Sequence, residues 1–175
     1  MSAYPISKLA RDAVRERLAD TLAGWNVTHA ALAADYGVAA IAVDFGATSK
    51  QFFEGAVDVD DVLGSTASKR PVFVLFTAGS VNTVAITGPL FSGQAQVILQ
   101  IHIEQRSGNA VRDYESQADA IEETLYTLFL ARDWAHGAAL SFGGEMSIQR
   151  GPVVPADANW RQAITARFTF GVHTD

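Results

Sequence analysis

The sequence has 175 residues, 49% apolar and only 18% charged, so general disorder is excluded and one domain with a sizeable core is expected. A net charge of −6 argues against nucleic acid or an anionic membrane as a partner for the whole surface, leaving only local basic patches open. With no cysteine, disulfides, thiolate metal sites and cysteine nucleophiles are removed.

In chain order, Met1 to Lys8 lacks the apolar core of a signal peptide, and no apolar run nears the roughly 18–20 residues of a membrane span. A soluble, cytosolic chain is expected. Ser7 to about Ala23 predicts a helix, with Leu9, Ala10, Ala13, Val14, Leu18 and Leu22 on one stripe and Arg11, Asp12, Arg15 and Glu16 opposite. Ser7 is its expected N-cap and Gly24 its stop. His29–Gly37 is a short-helix candidate with poor periodicity, and Val38–Phe45 reads as a strand. From Gly46 to Arg70 the pattern predicts a loop or arm, with Gln51–Gly55 as a short strand within it and Ser65–Arg70 as polar loop.

Pro71 opens Val72–Thr77, a continuous apolar run that suits a strand buried on both faces. Ala78-Gly79-Ser80 reads as a turn, Val81–Thr87 as a short strand and Gly88-Pro89 as a break. The dominant signal follows in Phe91–Arg106. Ala95, Val97, Leu99, Ile101 and Ile103 alternate with Gln94, Gln96, Ile98, Gln100, His102 and Glu104, and only Ile98 breaks the polar set. Such alternation places one set on each face of a strand. The second helix is expected from about Tyr114 to Arg132, capped by Asp113 or Ser116 and ended by Trp134 and Gly137. Met146–Arg150 reads as a weaker strand and Gly151–Asp157 as a loop. The last strand, Trp160 to His173, repeats the alternation with Arg161 and Arg167 on its polar side. These elements predict an α+β fold over residues 1–175: a mainly antiparallel twisted sheet with two amphipathic helices on one face.

No catalytic constellation emerges. The four histidines lack helical metal-pair spacing, and His102 and His173, on the polar sides of two long strands, read as surface residues even if the strands pair. Asp58–Asp61 lacks the glycine and terminal glutamate of a calcium loop, and Ser92 lacks a nucleophile elbow. No phosphate-binding glycine motif occurs. No cofactor, no metal and no enzymatic activity are expected. Phe52, Phe53 and Trp160 flank loops and are candidate interface anchors.

The order of elements resembles the tail terminator (tail completion) proteins of long-tailed bacteriophages. It is carried by Pro71–Phe76, Leu90–Gly93 with its long alternating strand, Asp113–Glu123, the Trp134 helix end and Trp160–Phe170, and it is clearer after Pro71 than before. The resemblance implies a homohexameric ring that caps the head-proximal end of the tail tube. Such a ring stops tube polymerisation, docks the neck or head connector and lets DNA pass its lumen; it is assembled in the host cytoplasm and resides in the virion. It implies no catalytic residues. On this reading Gln94, Gln96, Gln100, His102, Glu104, Arg161, Arg167, Phe52 and Phe53 are candidates for the subunit interface or lumen. A head–tail connector (stopper) or another tail component is the nearest alternative. A small cytosolic ligand-binding or enzymatic α+β domain is the alternative from another class.

Overall fold

The structure is a computed structural model describing residues 6–55, 71–84, 91–106, 111–130, 141–156 and 159–173. Its elements are α1 (Ile6–Ala19), α2 (Trp25–Asp35), β1 (Phe52–Glu54), β2 (Val72–Val84), β3 (Phe91–Arg106), α3 (Val111–Leu130), β4 (Ser141–Arg150), β5 (Val154–Ala156) and β6 (Asn159–His173). The strands form one sheet in the order β1-β2-β3-β6-β4, with β5 also pairing β6. Only β1–β2 is parallel; the other pairs are antiparallel. The α+β class with a mainly antiparallel sheet holds.

The long strand sits at the centre of this sheet. Its odd residues, Ala95 to Ile103, are buried beside Phe73 and Leu75 of β2 and Ile164, Ala166, Phe168 and Phe170 of β6. The helices cover this inner face. α1 buries Ile6, Ala10, Ala13, Val14 and Leu18, spaced so that they fall on one side of a helix of 3.6 residues per turn. α3 adds Ala118, Ile121, Leu125, Leu128 and Phe129, and the Phe129 ring lies 4.6 Å from that of Phe168. Each large side chain so buried stabilises the fold by roughly 1.5–3 kcal/mol relative to exposure.

Several local expectations are corrected. Ser7 lies inside α1 rather than capping it, and Asp113 and Ser116 likewise fall within α3. Gly24 precedes α2 and is not in a left-handed stop conformation (φ −84°). A third helix, α2, starts at Trp25, ahead of the His29–Gly37 segment. Val38–Phe45 forms no strand and pairs with none among the described residues; side chains serve its backbone instead. Asn26 Nδ2 donates to Val43 O at 2.9 Å, Val43 N donates to Asn26 Oδ1 at 2.8 Å, and Trp25 Nε1 donates to Ile41 O at 2.9 Å. Ala78–Ser80 does not turn; β2 runs through it with a register shift between Thr77 and Gly79, a bulge that absorbs one residue. The 151–157 loop contains β5. Of the expected arm, residues 46–55 are described and hold β1, whereas 56–70 lie outside the described residues, as do Gly88-Pro89, Trp134 and Gly137.

Candidate functional site

The register places the even residues of β3 on the outer face, away from the helices. Across to β6, Gln94 faces Gly171, Gln96 faces Thr169, Ile98 faces Arg167, Gln100 faces Thr165, His102 faces Ala163 and Glu104 faces Arg161. Across to β2, Gln100 faces Val74 and His102 faces Val72, while Phe53 of β1 faces Val74 from the far side. All the candidate residues except Phe52 and Trp160 therefore share one face of the sheet. Phe52 alternates to the other side, where it is buried and meets the Phe45 ring edge-on at 5.2 Å. It is a core residue, and its expectation as a surface anchor is corrected.

The outer face is not uniformly polar. Val72 and Val74 are buried with Phe53 and Phe76 packed on them, and Ile98 beside Phe76 is buried too. This apolar island accounts for the one break in the β3 alternation, since Ile98 continues the island from β2. The continuous run Val72–Phe76 was the signal for it, because a strand apolar at every position must bury both faces. At one end of the face, Arg161 Nε lies 3.4 Å from Glu104 Oε2, and the Glu104 side chain is 2% exposed. Arg167 and Gln94 are exposed, and Gln96, Gln100, His102, Thr165 and Thr169 are half-buried. The face mixes hydrogen-bonding amides and hydroxyls with one charged pair and a greasy centre, a composition that suits protein contact rather than proton transfer or phosphate binding. His102 pairs with Ala163 of β6, ten residues from His173, so their backbones lie roughly 34 Å apart at about 3.4 Å per residue. They cannot share a metal, and no metal-holding group of side chains occurs among the described residues. Trp160 is 47% exposed and faces Pro155 across the β5–β6 pair, on the opposite face from the other candidates.

Two polar clusters on the helix side escaped the sequence. Thr124 Oγ1 donates to Ala120 O at 2.6 Å, so it accepts from the Nδ1–H of buried His29 at 2.9 Å. His29 Nε2 is left to accept from Gln117 Nε2 at 3.3 Å, which assigns the tautomer from the network. Burial lowers this imidazole's pKa to about 4, and the Trp25 ring stacks on it at 4.8 Å. Arg150, near the edge of the sheet, donates to Glu122 (2.8 Å), Glu115 (2.8 Å) and Asp119 (2.6 Å) on α3. The bond to Glu122, more than any other contact, raises the guanidinium pKa further above its ordinary value. The signal was the Glu115, Asp119, Glu122 spacing, which lines one helix side and calls for a cation. Both clusters fasten elements to one another.

No family model and no curated protein matches the chain. No helix among the described residues is long and apolar enough to cross a membrane.

Proposed function

We propose that this protein is a structural subunit of a ring, acting as a tail terminator that caps a phage tail tube and docks the neck. The observation that carries the reading is the outer sheet face, where two long strands gather Gln94, Gln96, Gln100, His102, Arg161 and Arg167 around the island of Val72, Val74 and Ile98. A face of this kind is a surface for another protein or for a lumen, and the resemblance of the element order to tail terminators supplies the assembly. A homo-oligomeric ring, which heterologous contacts form when their rotation closes, needs two different complementary patches on each copy. A chain of net charge −6 also suits a lumen that lets DNA slide past without holding its phosphates.

Native mass spectrometry and negative-stain microscopy of the pure protein test the ring, and addition to polymerising tail-tube protein tests capping. A closed oligomer that halts tube growth is the expected result. A strict monomer at high concentration that leaves tube growth unchanged overturns the reading. A ring resolved between the tube and the neck assigns the terminator role over the connector role.

A further inference from the structure

Among the described residues the sheet ends in two edges of opposite direction. β2, β3, β6 and β4 are successive antiparallel neighbours, so β2 and β4 run in opposite senses. β1 covers β2 only at Phe73, Val74 and Leu75; beyond that, from Phe76 to Val84, β2 pairs only with β3 among the described residues. β4 pairs only with β6 among the described residues. Each edge carries a bulge, between Thr77 and Gly79 on β2 and between Phe142 and Met146 on β4. What remains regular past the bulges is Gly79 to Val84 and Met146 to Arg150, two stretches of ordinary strand length.

We infer that β4 of one copy pairs edge to edge with β2 of the next copy, joining the sheets head to tail through Met146–Arg150 and Gly79–Val84. The inference rests on the ring reading and names its seam. When copies repeat with their strands in one sense, the β4 edge meets the next β2 edge antiparallel, the favoured pairing. Unpaired edges are templates for such addition; bulges and charged side chains are both usual guards, and the bulges here leave the stretches past them regular. The described residues here are Ser147 and Gln149, both exposed, Met146 and Ile148, both half-buried, and Gly79 and Ser80, both exposed; Arg150 is turned onto α3. In a chain of net charge −6, an uncharged seam avoids repulsion between identical copies. Gly79 shares the outer face with Gln96, and Ser147 shares it with Arg167, so the outer faces of two copies would join without inversion.

The chain has no cysteine, so introduced thiols report alone. A Cβ at Gly79 meets nothing within 4 Å, and Ser147 and Gln149 are exposed, so Gly79→Cys, Ser147→Cys and Gln149→Cys are compatible with the fold. A short bis-maleimide tolerates a two-residue slip, about 7 Å at about 3.4 Å per residue. The double variants Gly79→Cys/Ser147→Cys and Gly79→Cys/Gln149→Cys are treated beside each single variant, with oligomeric state read by native mass spectrometry before cross-linking. A ladder beyond dimer in at least one double variant, with no cross-linked product from the single variants, is expected. Dimers from Ser147→Cys or Gln149→Cys alone overturn head-to-tail pairing in favour of a two-fold β4 contact. Rings that cross-link in neither double variant place the seam elsewhere and leave the ring reading standing, whereas unmodified monomers remove both.

Discussion

His29 is the residue whose burial has the clearest thermodynamic consequence. Its folded pKa of about 4 lies below the ordinary value of about 6.5 because burial disfavours the charged ring. The unfolded chain therefore binds more protons between these values, and stability falls as pH drops from about 6.5 towards about 4. The full loss is on the order of 3 kcal/mol. Urea unfolding at pH 7, 5.5 and 4.5 should show His29→Gln less stable than the parent at pH 7, by about 1–2 kcal/mol for the disturbed network, but with a flatter acid slope. Parallel slopes would mean that the imidazole titrates normally in the fold. Arg150 acts by a different rule, since its carboxylate partners are partly exposed and salt screens them. Arg150→Met should cost about 1–2 kcal/mol at low salt. That gap should shrink in 1 M sodium chloride, where the Debye length is about 3 Å.

At the scale of elements, the joint between α1 and α2 depends on one close approach. Gly24 N donates to Asp20 O at 2.9 Å, and a Cβ on Gly24 would sit 2.4 Å from Asp20 O and 2.6 Å from Leu18 O. Both are backbone atoms, so neither can swing aside. Gly24→Ala should therefore destabilise by about 2–3 kcal/mol, lowering the melting temperature by roughly 5–10 °C for a chain of this size. An unchanged melt would show that the joint relaxes freely. The sequence marked Gly24 as an ending but not as a contact, since nothing local records what lies across a turn. The same division runs through the fold. β3, β6, α1 and α3 were legible because each buries one face and so carries a clean period. α2 was blurred because alanines populate both its buried and exposed sides, and its fastening comes from Trp25, His29 and Tyr36 meeting partners far along the chain. The strand expected at Val38–Phe45 failed because an asparagine amide, not a neighbouring strand, satisfies Val43. For the candidate face, alternation in β3 and β6 assigned sides correctly, while the island across Val74, Phe76 and Ile98 required the register.

At the scale of the whole molecule, folding and the proposed assembly make separable demands on the sheet. The inner face is closed by the chain's own helices, so its residues answer to stability. Gln96 and Gln100 project from the outer face and are half-buried, beside Thr169 and Thr165. Carboxylates there keep the strand's hydrogen bonds and remove no apolar contact, so Gln96→Glu/Gln100→Glu should change stability by no more than about 0.5–1 kcal/mol. For a chain of this size that is roughly 1–4 °C in the melting temperature. In a ring the same change is repeated in every copy, and the added charges face one another or one shared partner, so repulsion accumulates as it cannot in a monomer. The double variant should thus lose tube capping or ring integrity, measured by sedimentation velocity and by tube-length distributions, while its thermal melt stays near the parent's. Raising the salt should recover part of the assembly, because screening acts on exposed charges over about 8–10 Å. Equal loss of melting temperature and assembly would return these glutamines to the scaffold of the fold. Unchanged assembly with unchanged melting would mean that the outer face meets only water.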